Sequence, residues 1–256
     1  MVPPSMPSKP HNSPVADRSP RQTFGRKIVR RPRGGRLLRL VLRAALIALL
    51  LPVSVVIAYR FVPPPITPLM MIRSTGGAPL DRHWLPLDRI SAALPRAVIS
   101  SEDEKFCTHH GFDWAAFDNA YRAWRAGREP KGASTITMQV AKNLFLWPGR
   151  SVIRKGIEAY LTVLLEFFWN KHRIMEVYLN VIEWGDGIYG ADAAAHRYFN
   201  KPASALTAQE AALLAAVLPN PREWSPLHPT PYIAERAASI RADMPAMAVP
   251  SANSCR

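Results

Sequence analysis

The hydrophobic positions of the chain form one continuous apolar stretch, followed by shorter segments with helical periodicity. Residues 44–59 carry no formal charge. With the apolar positions back to Leu37, the run reaches about 23 residues, which is enough to cross a hydrocarbon core of roughly 30 Å. Two arginines near its start, Arg39 and Arg43, can extend toward lipid headgroups. The pattern predicts a transmembrane signal-anchor helix over residues 37–62.

The segment before this helix has no hydrophobic periodicity. Residues 1–36 mix Pro, Ser and Arg, which predicts a disordered tail. Residues 1–43 hold eleven basic side chains and a single acid, Asp17, so much of the chain's formal charge of +14 lies there. Because positive charge stays on the cytoplasmic side of a membrane helix, we expect a cytoplasmic N-terminus and an external domain.

One other interpretation of the N-terminal region remains open, and a second is disfavoured. A cleaved signal peptide is one, since Val56, Ile57 and Ala58 resemble a cleavage site. A basic tail can also bind nucleic acid, but this one lacks interleaved aromatic residues and a binding fold. The tail is more simply a topology signal, and we expect no nucleic-acid partner.

The rest of the chain is expected to form a mostly α-helical domain. Residues 63–93, rich in Pro and Gly, are interpreted as a linker and membrane-proximal segment, and residues 244–256 as a C-terminal tail. Between them, residues 94–243 read as short helices joined by tight loops, and no segment alternates as a convincing strand. Four aromatic residues recur at helical spacing and predict an apolar stripe: Trp114, Phe117, Tyr121 and Trp124.

Helix boundaries in this domain are indicated by capping residues. Ser134 is expected to cap a helix that runs to residue 145, and Ser151 a longer one over residues 152–170. Residues 171–180 continue as helix. Thr207 and Glu210 form a capping box before residues 211–218.

Composition and motifs exclude several classes of function. The chain is 48% hydrophobic and 20% charged, which is typical of a globular protein. Two cysteines, Cys107 and Cys255, are too few for a disulfide framework or a four-thiolate zinc site. No glycine-rich nucleotide loop, zinc-ligand spacing or Ser-x-x-Lys motif supports nucleotide, metalloprotease or penicillin-reactive chemistry.

Two segments carry carboxylates and hydroxyls suited to catalysis or ligand binding. In the first, an apolar run ends at Glu102, and desolvation there would raise the pKa of the carboxyl toward that of a useful base. A solvated acidic turn is the alternative. In the second, Gly132 leads a hydroxyl cluster at a helix start, where N–H groups can bind an anion. Ordinary capping by Ser134 explains much of that pattern as well.

Two further segments combine charges on helices. Arg154, Lys155 and Glu158 share a helix face, which suits a polyphosphate clamp or an ordinary surface ion-pair cluster. The segment 171–180 reads mainly as structure, with Tyr178 and Asn180 available for hydrogen bonds inside the fold.

Read in order, these segments resemble the peptidoglycan glycosyltransferases of glycosyltransferase family 51. The family patterns Glu-Asp-x-x-Phe-x-x-His-x-Gly, Gly-x-Ser-Thr-Ile-Thr-Gln-Gln, Arg-Lys-x-x-Glu and Tyr-Leu-Asn match residues 102–111, 132–139, 154–158 and 178–180, and a fifth matches 187–201. One departure is Met138, where the family has Gln. The chain stops near residue 250 without a transpeptidase domain, so the monofunctional form is the expected one.

The resemblance implies a lysozyme-like glycosyltransferase fold with a small membrane-proximal lobe and an inverting polymerisation of lipid II. Undecaprenyl pyrophosphate is then the leaving group. It implies that Glu102 is the catalytic base and that Glu158, also catalytic, orients the cations or holds a divalent metal, Mg²⁺ or Mn²⁺. The side chains that it assigns to substrate binding are Asp103, Ser134, Thr135, Gln139, Lys142, Arg154 and Lys155.

The expected location is the bacterial inner membrane, crossed once, with the catalytic domain in the periplasm. Expected partners are lipid II, the growing glycan strand and the membrane, with penicillin-binding transpeptidases and division proteins as candidate protein partners. Two alternatives stay open: a lysozyme-like hydrolase, which also uses carboxylates in an α fold, and a non-catalytic membrane-anchored assembly factor.

Overall fold

The computed structural model describes residues 1, 34–77, 80–129, 132–149, 151–251 and 255, with the backbone alone at 34–36. Most of the predicted tail, 1–36, lies outside the described residues. Contacts divide the chain into a unit of residues 1–44 and a unit of residues 45–256. The first contributes the beginning of α1, and every feature of the functional site lies in the second.

Helix α1 (Gly34–Phe61) confirms the long apolar helix. Its stretch Leu37–Phe61 is long and apolar enough to cross a membrane, and it is the one such helix in the part of the chain described. Most of its side chains are exposed, with Val56 as the buried exception. An apolar helix with so little protein contact is suited to a lipid environment.

The segment expected to be a linker, residues 63–93, is in fact folded onto the domain. It contains α2 (Pro68–Thr75), the strand β1 (Asp81–Arg82) and a 3₁₀ helix (Leu87–Arg89). Thr67 caps α2 by accepting a hydrogen bond from the Met70 amide, and Met70 is fully buried. The Pro and Gly residues suggested a connector because they interrupt periodicity, but short elements between them still bury apolar side chains.

Eight further α-helices build the domain within the described residues, as the mostly α interpretation expected. Their bounds are α3 (Ala93–Glu102), α4 (Trp114–Arg125), α5 (Ile136–Phe145), α6 (Val152–Phe168), α7 (Lys171–Val181), α8 (Ala191–Phe199), α9 (Ala208–Val217) and α10 (Pro231–Asp243). Helix α3 packs against α9 and α10, while α5 packs against α6 and α7. These two groups bring the start of α5 and the end of α3 together at the site.

A small sheet accompanies the helices, although no strand pattern was visible in the sequence. Strands β2 (Glu183–Gly185) and β3 (Ile188–Tyr189) pair antiparallel, and β1 pairs with β3 in parallel, so the order is β1-β3-β2. All three strands are two or three residues long. Such strands are too short to show the alternation on which sequence recognition rests.

The helix caps agree with the sequence in most places. Ser151 caps α6 and Thr207 caps α9 in a complete capping box. The cap of α5 differs, because Thr135 and not Ser134 accepts the hydrogen bond from the Met138 amide. Asn170 caps α7, so the expected continuous helix is divided into α6 and α7.

Helix α4 forms where the aromatic stripe predicted a helix, but the stripe does not face a core. None of its residues is buried, and the exposed fractions of Trp114 and Trp124 are 73% and 65%. The helix is therefore amphipathic with its aromatic face open.

The two cysteines form a disulfide, Cys107–Cys255, that closes a sequence separation of 148 residues. A 3₁₀ helix (Met244–Ala246) follows α10, and Met244 and Cys255 are buried. The presence of two cysteines in the sequence did not by itself predict this bond. Cys255, within the segment expected to be a tail, is thus bonded to the loop that follows α3.

Candidate active site

The predicted catalytic carboxylate, Glu102, is the last residue of α3. Its side chain is 16% exposed, and the Gln139 Nε2 group donates to its Oε2 at 2.8 Å. Burial raises the pKa of the Glu102 carboxyl, opposed chiefly by the Gln139 hydrogen bond and the positive charge of Arg236. A desolvated carboxylate with a raised pKa is a better proton acceptor than an exposed one.

Gln139 was expected to bind substrate, but its amide is occupied within the protein. Tyr178 donates its phenol hydrogen to Gln139 Oε1 at 3.2 Å, which turns the amide nitrogen toward Glu102. Tyr178 is fully buried, so this arrangement is held firmly. Gln139 is thus bonded to both Glu102 and Tyr178, and Tyr178, read earlier as mainly structural, adjoins the site.

Asp103 was also expected to bind substrate, and it too is turned inward. Its side chain is only 3% exposed, and its carboxylate bonds the His109 ring at 2.8 Å and accepts from the Ile136 amide at 3.0 Å. The Ile136 amide is the first of α5, so a carboxylate there also satisfies a free N–H at the helix start. Asp103 thus fixes α5 relative to Glu102.

Of the two hydroxyl residues just before α5, one is buried in the fold and the other is exposed to solvent. Thr135, expected to contact substrate, is buried and donates to the Gly111 carbonyl at 2.7 Å. Gly111 has φ +86° and a Cβ there would meet the Thr162 side chain at 2.9 Å, so only glycine fits. Ser134 is exposed beside this cap and stays a predicted donor to substrate.

The predicted cation cluster forms at the start of α6. Arg154 Nη1 donates to Glu158 Oε2 at 3.0 Å, and Lys155 Nζ donates to the other oxygen, Oε1. Arg154 and Glu158 are buried, whereas the Lys155 side chain is 45% exposed. Arg154 Nε is buried without a partner among the described residues. The cluster therefore retains donor capacity for an anion.

An open depression of about 400 Å³ is lined by Ser151, Val152, Arg154 and Lys155. Its lining joins two cations to an apolar side chain, since Val152 is 90% exposed. Such a surface matches a ligand that carries a negative group next to an apolar chain.

Lys142 connects the two halves of the site. Part of the side chain is exposed to solvent, but protein atoms surround it on the other sides. They partly desolvate the ammonium group, and this desolvation lowers its pKa. Charges act on it from both directions: Glu158, Arg154 and Lys155 on α6, and Glu102 on α3. Glu102 and the cation cluster thus share one electrostatic environment.

The donor set at Glu158 does not fit a metal ion held by the protein alone. Both carboxylate oxygens are engaged by cations. No group of three His, Cys, Asp or Glu side chains suited to a metal occurs within the described ranges. A Mg²⁺ or Mn²⁺ ion at Glu158 stays a prediction.

Sequence reasoning missed Glu166 and Arg236, and it read the segment that begins at Lys171 mainly as structure. Glu166 accepts from Thr137 Oγ1 at 2.5 Å and from Lys171 Nζ at 2.7 Å, and the Lys171 ammonium lies 4.6 Å from the centre of the Phe106 ring. Arg236 of α10 approaches Glu102. The spacing of Glu166 and Lys171 on neighbouring helices offered a weak signal, and Arg236 offered none.

A helical domain with a largely buried carboxylate of raised pKa at the end of α3 and a cation cluster at the start of α6 is suited to an enzyme of the glycan-transferring class. Residues 70–245 match the Transglycosylase family model. The chain belongs to that transglycosylase family.

Curated relatives agree over most of their length. The chain is 55% identical over 211 residues to a biosynthetic peptidoglycan transglycosylase of Caulobacter vibrioides, covering 80% of this chain and 92% of the relative. A protein of the same description from Rhodospirillum centenum is 60% identical over 196 residues, covering 76% and 85%. One from Pseudomonas syringae pv. syringae is 50% identical over 214 residues, covering 81% and 91%.

Proposed function

We propose that this chain is a peptidoglycan glycosyltransferase that extends glycan strands from lipid II and releases undecaprenyl pyrophosphate. One observation carries the proposal: α5 holds Gln139, which donates to Glu102, and three residues later Lys142, and α5 packs against α6, which begins with the cation cluster. The proposed base for the attacking hydroxyl and the proposed cations for the leaving group are therefore linked through one helix, which suits a transfer to a sugar hydroxyl.

In the proposed reaction, Glu102 takes the proton from the 4-hydroxyl of the acceptor sugar. The hydroxyl oxygen then forms a bond to the anomeric carbon of the donor, and the bond from that carbon to the pyrophosphate oxygen breaks with inversion. The electron pair leaves on the pyrophosphate. The hydrogen bond from Gln139 orients the Glu102 carboxylate for this step.

The departing pyrophosphate is stabilised by the cations at the start of α6. Arg154 is held in place by Glu158 and keeps a buried, unpartnered Nε donor, and Lys155 and Lys142 add positive charge. Preorganised cations of this kind act where negative charge develops in the transition state. Because pyrophosphate leaves without protonation, the site needs no second carboxylic acid, which a hydrolase acting on a sugar leaving group requires.

A lipid-linked substrate fits the way the domain is attached to α1. Tyr160 donates to the Leu49 carbonyl and Trp169 Nε1 to the Val56 carbonyl, each at 2.8 Å. Leu49 and Val56 belong to the apolar stretch of α1, so α6 lies beside the part of that stretch nearer the domain. Exposed apolar side chains continue along α6, at Val152, Ile153, Val163 and Phe167. We propose that this face contacts the outer leaflet of the inner membrane.

The disulfide supports a periplasmic location. Disulfides persist in oxidising compartments and are rare in the cytosol. With the basic residues before α1 on the cytoplasmic side, the domain that carries Cys107 and Cys255 lies outside. Transpeptidases that cross-link the glycan product are the proposed class of protein partner, together with division proteins.

The proposal is tested with purified full-length protein and labelled lipid II in detergent. Wild-type protein should produce long glycan, and Glu102→Gln should lower the rate at least about a hundredfold, because removing a general base typically costs a factor of 10²–10⁴. Glu104→Gln is the matched control, since Glu104 is an exposed acid two residues away. A parallel assay with a chelator tests the expected Mg²⁺ or Mn²⁺.

Each alternative has a distinct outcome in the same assay. Polymer formation by Glu102→Gln at the wild-type rate would contradict the assignment of the base. Reducing ends released from finished peptidoglycan, without chain growth from lipid II, would indicate a hydrolase. Absence of either activity in folded wild-type protein would favour an assembly factor.

A further inference from the structure

An arginine of α10 approaches the Glu102 carboxylate from the side opposite to Gln139. Arg236 lies on α10, and its Nη2 is 3.8 Å from Glu102 Oε1. Gln139 donates to the other oxygen, Oε2. The Glu102 carboxylate is therefore approached by one donor at each oxygen, from two helices that are far apart in the chain.

The position of Glu102 in its helix explains why a cation is needed there. Glu102 is the last residue of α3, and the C-terminal end of a helix carries partial negative charge that disfavours a carboxylate. Arg236 Nη2 also donates to the Ser101 carbonyl at 3.5 Å, one of the last carbonyls of α3. A single guanidinium thus compensates both the helix end and the carboxylate on it.

The contacts of Arg236 are unlike those of an arginine that serves only the fold. Its contacts at the described residues are one long hydrogen bond and one ion pair at 3.8 Å, and its Nε is buried without a partner. A structural arginine in a buried site normally uses most of its donors. By comparison, Arg173 of α7 donates to the carbonyls of Tyr59 and Val62 and pairs with Glu176.

We propose that Arg236 is a positioning residue for glycosyl transfer, which keeps the Glu102 carboxylate ionised and directed toward the acceptor hydroxyl. The proposal rests on the function proposed above and adds a residue to its site. The other groups that act on Glu102 are Asp103 beside it, Gln139 and Lys142 from α5, and Tyr178 from α7. Burial is the largest influence on the Glu102 pKa and raises it, while Arg236 lowers it.

The test is the pH profile of kcat for polymerisation of lipid II by full-length protein. The rate requires ionised Glu102, so it falls as pH drops through the pKa of that carboxyl. Arg236→Gln removes a charge that lowers this pKa, and the acid limb should move upward by about one pH unit. At pH values on the acid limb, kcat of Arg236→Gln should be about tenfold below that of wild type. On the plateau the two values should differ about threefold or less. Arg236→Lys keeps the charge and should restore the limb.

Arg241→Gln is the matched control, because Arg241 is an exposed arginine on the same helix. Its pH profile should equal that of wild type. Melting temperatures are measured for all variants, and Arg236→Met, which keeps the apolar stem, replaces Arg236→Gln if the latter does not fold.

Three results would overturn the proposal. The first is a loss of rate in Arg236→Gln that is equal at every pH, and the second is a rise in KM with the pH profile of kcat unchanged. The third is an acid limb in Arg236→Lys that is shifted as far as in Arg236→Gln. Failure of the proposed function is separate, because it would appear as inactivity of folded wild-type protein and of Arg241→Gln toward lipid II.

Discussion

The residues predicted to bind substrate divide into those that reach solvent and those that are bonded inside the domain. Asp103 and Thr135 are buried and bonded inside the domain, whereas Lys155, Lys142 and Ser134 reach solvent. A pattern in a sequence does not separate these roles, because both kinds of residue are restricted to one chemical type. Burial and hydrogen-bond partners separate them.

We expect Lys142 to set an alkaline limit on the rate. Desolvation lowers the pKa of its ammonium group, and the proposed contact with pyrophosphate needs the protonated form. As pH rises through this lowered pKa, Lys142 loses its charge and the rate should fall at a pH below the usual range for lysine. Lys142→Arg retains the charge, because arginine does not deprotonate in proteins, so this variant should keep its rate in alkaline solution. Lys142→Gln should lose about a hundredfold at neutral pH.

The measurement is the rate of lipid II consumption across the neutral to alkaline range. Lys105→Arg is a suitable control, since Lys105 is an exposed lysine paired with Asp113 at 3.4 Å. It should leave the alkaline limb unchanged. An alkaline limb in Lys142→Arg identical to that of wild type would show that another group sets it.

At the scale of elements, the sequence predicted what short-range physics determines. Ser151 and the Thr207–Glu210 box were recognised because a cap and its helix lie within four residues. The cap of α5 was misassigned by one position because Ser134 and Thr135 are both good caps, and the choice depends on Gly111, 24 residues earlier. Strand β1 depends on a contact more distant still, because Asp81 pairs with Ile188 of β3, whereas β2 and β3 pair locally and are simply too short to show alternation.

The disulfide is an element-scale constraint with a measurable stabilising effect. It closes a separation of 148 residues, and a covalent closure of this length restricts the unfolded chain strongly. We expect the double variant Cys107→Ser/Cys255→Ser to lose about 3 kcal/mol of unfolding free energy. That corresponds to a melting temperature lower by about 10 °C. Thermal unfolding of full-length protein in detergent measures this shift.

Reductant provides the internal control for that experiment. It should lower the melting temperature of wild-type protein and leave the double variant unchanged. In protein taken directly from cells, both thiols should be blocked to alkylation before reduction, as expected for a periplasmic domain. Equal melting temperatures for oxidised and reduced wild type would contradict the stabilising role, and free thiols in cells would contradict the location.

At the scale of the whole molecule, the site depends on contacts that no local pattern reports. Arg236 reaches Glu102 across 134 positions of sequence, and Tyr178 reaches Gln139 across 39. The aromatic stripe of α4 was correctly predicted as helical, yet periodicity does not tell whether an apolar face meets a protein core or a lipid phase. The exposure of Trp114 and Trp124 distinguishes these cases only once the packing of the other helices is known.

The apolar face of α6 is likewise exposed, and its proposed contact with the membrane can be tested. Val152 and Ile153 are 90% and 77% exposed, and Val152 lines the depression beside Arg154 and Lys155. If this face lies in the outer leaflet, it places the cations at the depth of the pyrophosphate. The double variant Val152→Asp/Ile153→Asp should then raise KM for lipid II in liposomes about tenfold or more, because charges are costly in an apolar phase.

The folded state should not change in that variant, since neither side chain contributes to the core. Its melting temperature in detergent should therefore match wild type, which separates a membrane effect from a packing defect. Leu227→Asp is the control, because Leu227 is an exposed apolar residue between α9 and α10. A KM in liposomes equal to that of wild type would place α6 outside the bilayer. The cleft would then have to bind the pyrophosphate above the membrane surface, with the lipid chain drawn out of the leaflet at a large hydrophobic cost.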